Sequence, residues 1–280
     1  MNPEEFALAS RRAHQADSVV DVYGVTVGGL RPVVCAGPCS VETPEQILAC
    51  AEAVRKSGAH LLRAGAYKPR TSPYSFQGLG ERGLKLLAEV REETGLGIVT
   101  EAVDTDTFDL VEEYADCVQI GARNMQNFSL LRRAGRSVRP ILLKRGLCAT
   151  LQEFLLAAEY VLAGGNPRVI LCERGVRTFA DHSRTTLDLS IVPAVKRLSH
   201  LPIIVDPSHA TGVRDAVPSM SLAAIAAGAH GLLIEMHVQP NQALTDGPQA
   251  IYPSQLERIV SDTASIAAIL AQSKVPQPLI

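Results

Sequence analysis

The chain has no large excess of charge of either sign. Across 280 residues, 27 Lys and Arg stand against 29 Asp and Glu, for a net charge of −2. That balance excludes the broad basic field of a general nucleic-acid binder. Cations that cluster must therefore serve a local purpose. No charged-then-apolar leader opens the sequence. Its most apolar region, 222–236, is broken by Gly228, His230 and Gly231, so it offers no membrane span. The six cysteines (35, 39, 50, 117, 148 and 172) form no CxxC pair and have no secretory context. They read as reduced thiols of a cytoplasmic protein, most of them small core residues. There is no low-complexity segment or internal linker.

What is present is a rhythm. Eight short apolar runs, at 33–36, 61–64, 97–101, 117–120, 141–144, 169–172, 203–206 and 232–235, are each followed by a loop and a helical pattern. The runs are continuously apolar rather than alternating, as parallel strands buried on both faces are. Thr43-Pro44-Glu45-Gln46 and Thr150-Leu151-Gln152-Glu153 read as capping boxes, and Gly164-Gly165 as a helix stop. A last helical face carries Leu256, Ile259, Val260, Ile266 and Leu270. Eight β–α units in this length predict an α/β fold, a (β/α)8 TIM barrel. An open doubly wound sheet would need a Gly-rich nucleotide turn after the first run, where Gly37-Pro38-Cys39-Ser40 stands instead. Residues 1–32 read as an N-terminal arm and hairpin. Phe6, Leu8 and Ala9 anchor a short helix or arm, and 19–27 forms the hairpin. Residues 33–280 read as the catalytic barrel.

In such barrels the chemistry sits at the C-terminal ends of the strands. Here every run carries an ionisable or ligating residue at its end or in the loop just after it, which packing alone does not explain, since charges are rarely buried without partners. Arg63, Lys68, Arg123, Lys144 and Arg174 form one group. The loop Arg63-Ala64-Gly65-Ala66-Tyr67-Lys68-Pro69-Arg70-Thr71-Ser72 adds Arg70 and two hydroxyls, with Pro69 to stiffen it. One basic loop alone would ordinarily face water. A ring of such cations needs a ligand with several negative charges, such as phosphate plus carboxylate. Cys39, His209, Glu235 and Asp246 form the second group, a mixed donor set suited to a divalent metal on neighbouring strands.

Several motifs carry a resemblance to a known family. They are Ala36-Gly37-Pro38-Cys39-Ser40-Val41-Glu42, the Arg63–Ser72 loop quoted above, Ile120-Gly121-Ala122-Arg123-Asn124 and Leu143-Lys144-Arg145-Gly146. Cys172-Glu173-Arg174-Gly175, Asp206-Pro207-Ser208-His209-Ala210-Thr211-Gly212 and Ala243-Leu244-Thr245-Asp246-Gly247-Pro248-Gln249 complete them. Over about residues 30–270 the chain resembles the 3-deoxy-D-arabino-heptulosonate 7-phosphate (DAHP) synthases of type Iβ. The resemblance implies that Arg123 and Arg174 hold the phosphate of phosphoenolpyruvate, and Arg63, Lys68 and Lys144 its carboxylate. Arg70 and Thr71 would hold the phosphate of erythrose 4-phosphate. Cys39, His209, Glu235 and Asp246 would bind one divalent metal ion, Mn²⁺ or similar. Lys68, Glu101, Lys144 and Asp206 would serve at the reacting centre. It also implies a homo-oligomer, dimer or tetramer, and leaves room for a chorismate-mutase partner.

Two other activities fit the same residues less well. The octulosonate 8-phosphate synthases share the fold and the phosphoenolpyruvate site but usually carry Lys-Ala-Asn-Arg where this chain has Lys68-Pro69-Arg70-Thr71. A Schiff-base aldolase would use Lys144. Cys148 stands where relatives often have Ser, a departure that leaves the site motifs untouched. The 32 residues before the barrel fall below the roughly 40 that form a core unaided. The expectation is a catalytic core without its own allosteric domain, insensitive to Phe, Tyr and Trp when assayed alone.

Overall fold

Alternate residues of each apolar run face opposite ways and meet different partners. Val33 and Cys35 join one apolar cluster inside the sheet, while Val34 and Ala36 join a second cluster beneath the helices. The computed structural model describes residues 4–272. Its hairpin is β1 (Val20–Val22) and β2 (Val25–Val27). Eight parallel strands follow: β3 (Val33–Gly37), β4 (Leu61–Arg63), β5 (Gly97–Ala102), β6 (Cys117–Ile120), β7 (Ile141–Lys144), β8 (Val169–Glu173), β9 (Ile203–Val205) and β10 (Gly231–Glu235). They pair in chain order, and β10 closes onto β3. The helices are α1 (Pro44–Lys56), α2 (Glu81–Thr94), α3 (Thr105–Tyr114), α4 (Phe128–Ala134), α5 (Leu151–Ala163), α6 (Ile191–Leu198), α7 (Pro207–Thr211), α8 (Val217–Ala226) and α9 (Pro253–Gln272). This is a (β/α)8 barrel, with α7 as a short extra helix between β9 and α8. Among the described residues no helix is long and apolar enough to cross a membrane.

The hairpin turns at Tyr23-Gly24, both with positive φ, as a two-residue turn matched to strand twist requires. Val20, Val22 and Val27 share one apolar cluster with the inward residues Cys35, Leu61, Val99 and Cys117. The hairpin therefore packs on the barrel interior. Burial pushes the Cys35 thiol up to about 12, so it serves as a small apolar filler. Cys148 alone of the six cysteines is exposed.

Some local expectations need correction. The arm before the hairpin is a run of turns without a helix among the described residues. Phe6 and Ala9 are buried, but Leu8 is exposed. The arm is held by the Leu8 and Ala9 N–H groups, which both donate to the Glu159 carboxylate. Thr43 caps α1 by accepting from Gln46 N–H, but the Gln46 side chain accepts from Glu42 N–H, one residue short of a full box. The Thr150–Glu153 box is complete. On α9, Leu270 faces solvent. Residues 273–280, the end of the expected barrel segment, lie outside the described residues.

Three polar side chains close the sheet at the N-terminal ends of its strands. His60 N–H donates to Val34 O, and His60 Nδ1 accepts from Val34 N–H at 3.0 Å. His230 repeats this on Ile203, and Asp116 on Ile98. Each side chain replaces a carbonyl that the neighbouring strand has not yet begun to supply. The histidines can accept these bonds only when that nitrogen is unprotonated.

Burial lowers His230 from 6.5 to about 4 and lowers His60 as well. A depressed folded-state value means that the unfolded chain takes the proton first. The stability these groups support is whole above pH 6.5 and is lost as pH falls towards about 4. Urea unfolding at pH 7, 5.5 and 4.5 should show this decline. His230→Asn keeps the acceptor without the titration, so its decline should be measurably shallower.

Candidate active site

The mouth of the barrel at the strand C-termini holds a cleft of about 350 Å³. Arg63, Lys68, Arg70, Arg123, Lys144 and Arg174 all line it, with Thr71, Glu101, His209 and Asp246. The predicted cations and two of the predicted metal donors thus share one cavity. Arg63 ends β4 and is buried. Its Nη1 donates to Glu235 Oε1 at 2.9 Å and to Pro38 O at 3.1 Å, while its buried Nε has no partner among the described residues. Lys144 ends β7 and donates to Asp206 Oδ2 at 2.5 Å. Arg174, also buried, donates to the carbonyls of Gly175 and His209. Burial lowers its pKa, which raises the value of an anionic partner there. Arg70, Thr71 and Arg123 lie towards the open side.

Cys39, His209, Glu235 and Asp246 each bring a donor atom to within 4.8 Å of all the others. They come from the loop after β3, from α7, from the end of β10 and from the loop beyond it. His209 Nε2 lies 3.2 Å from Glu235 Oε1 and 3.9 Å from Asp246 Oδ2. His209 Nδ1 lies 2.7 Å from Asp206 Oδ2. A carboxylate at Nδ1 holds the proton on that nitrogen and leaves the Nε2 lone pair facing two carboxylates. Acceptors that face one another in this way fit a divalent cation. Burial and the Glu235 carboxylate push the Cys39 thiol up to about 12, against Lys68, whose Nζ is 2.8 Å from Sγ. The thiol donates to Asp246 Oδ2 at 3.1 Å. Cation binding would therefore displace a proton from Cys39 and be favoured by rising pH. Glu235 is buried, which works against its charge, yet the Arg63 guanidinium beside it holds it below the ordinary carboxylate range.

Glu101 ends its apolar run with one oxygen fixed by Gln119 Nε2 at 2.9 Å. The other oxygen, Oε1, is buried and has no partner among the described residues. Gly121 makes room for it, since a Cβ there would lie 2.1 Å from Oε1.

Three participants had no clear signal in the sequence. Arg184 lines the cleft from a loop far from any strand end. It is brought back because 184 and 185 donate their N–H groups to Thr211 O and Ala210 O. Gln249 joins the two halves of the site. It accepts from Arg184 at 3.1 Å and donates to Glu235 Oε2 at 2.5 Å. Gln119 is hidden inside a strand. Arg145 and Glu173, visible at their strand ends, instead form a buried pair at 3.0 Å, extended by Asp188 at 2.9 Å. His60, His200 and His230 are bonded elsewhere.

A closed barrel with a cationic cleft beside a thiol, imidazole and carboxylate donor set at its C-terminal rim has the form of a barrel enzyme. The profile of the DAHP synthetase I family matches residues 13–270, and the chain belongs to that family. It is similar to the phospho-2-dehydro-3-deoxyheptonate aldolase of Thermotoga maritima, at 50% identity over 265 residues, covering 95% of this chain and 78% of that one. A crystal structure of that DAHP synthase superposes with a TM-score of 0.91 at 50% identity, covering 94% of this chain and 77% of the other. A truncated form of the 3-deoxy-D-arabino-heptulosonate 7-phosphate synthase from the same organism gives a TM-score of 0.89 at 46% identity, covering 95% and 98%. The 2-dehydro-3-deoxyphosphooctonate aldolase of Syntrophobacter fumaroxidans is 30% identical over 268 residues, covering 89% of this chain and 92% of that one. The chain is an enzyme, a transferase that forms carbon–carbon bonds.

Gly121→Ala should leave the fold intact but displace the Glu101 carboxylate. A misplacement of about 1 Å in a side chain lining a substrate cleft can cost on the order of a hundredfold. The expected result is a kcat lower by about that factor with an unchanged melting temperature, measured by steady-state kinetics and calorimetry.

Proposed function

We propose that the protein is a metal-dependent DAHP synthase of type Iβ. It condenses phosphoenolpyruvate with erythrose 4-phosphate and water to give 3-deoxy-D-arabino-heptulosonate 7-phosphate and phosphate, the first step of the shikimate pathway. The observation that carries this reading is the cleft that joins a ring of cations to a four-donor metal set. In this reading 1–32 is the arm and hairpin, and the barrel from Val33 onward carries the chemistry.

Arg123 and Arg174 hold the phosphate of phosphoenolpyruvate, and Arg63, Lys68 and Lys144 its carboxylate. Forked guanidinium groups suit both anions. Arg70 and Thr71, on the Pro69-stiffened loop, hold the phosphate of the aldose. With both ends fixed, C3 of phosphoenolpyruvate faces the aldehyde carbon, and positioning supplies much of the rate advantage. A divalent ion, Mn²⁺ or similar, held by Cys39, His209, Glu235 and Asp246 would polarise the aldehyde or orient water. The C3–C1 bond forms as the enol π pair moves to the aldehyde carbon, and the aldehyde oxygen takes a proton. Lys68 uses two N–H groups on Cys39 O and Sγ, which leaves its third to donate there. Water then adds at C2 and loses a proton, and the C2–O bond breaks to release phosphate. Glu101, whose Oε1 has no partner among the described residues, would orient that water. Lys144 is committed to Asp206 at 2.5 Å, which speaks against its serving as a free amine nucleophile.

Steady-state assay of phosphate release with erythrose 4-phosphate and arabinose 5-phosphate tests the reading. The longer aldose would push its phosphate past Arg70, so its kcat/KM should be lower by on the order of a hundredfold. Comparable values would reject this proposal in favour of octulosonate 8-phosphate synthesis.

A further inference from the structure

Asp246 occupies an unusual backbone position. Its φ is +51°, in the left-handed region that non-glycine residues enter rarely, though Asp more readily than most. Something must hold its loop against the first metal donor, Cys39, which is remote in sequence. The neighbours of the two donors meet. Ser40, directly after Cys39, and Thr245, directly before Asp246, are both buried, and their hydroxyl oxygens are 2.6 Å apart. Ser40 Oγ also donates to Glu42 Oε1 at 3.3 Å, and the same oxygen accepts from Leu244 N–H at 2.9 Å. Glu42 accepts and cannot donate as a carboxylate, and Ser40 has one hydroxyl proton. The proton count therefore makes Thr245 the donor to Ser40. The result is a ring: Thr245 donates to Ser40, Ser40 to Glu42, and Leu244 to Glu42.

We infer that Ser40 and Thr245 are positioning residues whose hydroxyl latch sets the separation of Cys39 and Asp246 and so the affinity of the site for a divalent ion. The inference rests on the metal reading of the Cys39, His209, Glu235 and Asp246 set. Neither hydroxyl is among the donors. Their effect passes through the backbone, because each is covalently next to a donor. Removing one hydroxyl leaves its buried partner short of a bond and lets the Asp246 loop relax. Outer partners of this kind typically change metal affinity by about 10–100-fold.

The test is a titration of metal-free enzyme with Co²⁺, read by the near-ultraviolet band of a thiolate-bound Co²⁺. Wild type should develop the band and give a reference Kd. Thr245→Val, which keeps the side-chain shape, should raise Kd by about 10–100-fold. Thr245→Ser, which keeps the hydroxyl, should return it to near the wild-type value. Circular dichroism and the melting temperature of the metal-free variants report folding separately. If Thr245→Val does not fold, Ser40→Ala carries the same expectation. An unchanged Kd in the folded hydroxyl-deleted variant overturns the latch. Equal weakening by Thr245→Ser also overturns it, since side-chain volume would then be the cause. A wild type that develops no thiolate band overturns the metal reading itself, and the latch with it.

Discussion

Asp206 Oδ2 takes two hydrogen bonds at once, from Lys144 Nζ at 2.5 Å and from His209 Nδ1 at 2.7 Å. Oδ1 of the same carboxylate caps α7 by accepting from His209 N–H at 2.9 Å. One buried side chain thus fixes a cation of the cleft, the tautomer of a candidate metal donor and the start of the helix that carries it. Burial works against its charge, but His209 and Lys144 hold it well below the usual carboxylate range. A buried carboxylate with several good partners is stable in that form, whereas losing one partner is costly. The rigid β7 and β9 strands supply the positions, and Asp206 converts them into a site.

The same economy governs the other charges at the mouth. Glu235 accepts from Arg63 and Gln249 while facing His209, so it belongs to both the cation ring and the donor set. Arg145 Nη1 bridges Glu173 and Asp188 while its Nε donates to Ala149 O, and this pairing supports the loop that carries Arg174. Among the described residues Arg70 and Arg123 form no ion pair. Both reach solvent at the mouth, where an unmatched charge costs least and where a phosphate would arrive.

The strands were legible because parallel strands buried on both faces leave continuous apolar runs. The β6 and β7 bounds coincide with the expected ones, and the rest differ by one residue at an end. The ionisable residues at their ends were legible because barrel geometry sends those ends to one rim. Arg184 and Gln249 were not. They reach the site through long loops whose return path depends on backbone bonds to α7 and to the barrel mouth. The arm was misread in part because Phe6, Leu8 and Ala9 suggest a helical face, yet its backbone N–H groups are satisfied by Glu159, 150 or more residues away in sequence. Spacing within a segment carries no trace of such a partner.

The account stands or falls on whether the four-donor set works as a metal site for the chemistry in the adjacent cleft. The direct measurement is turnover of phosphoenolpyruvate and erythrose 4-phosphate against bound divalent metal, counted by elemental analysis on enzyme stripped with a chelator and reloaded with Mn²⁺. Activity should be absent without metal and rise in proportion to occupancy, levelling off at about one ion per chain, as a single four-donor site dictates. Full turnover by enzyme shown to be metal-free would contradict it.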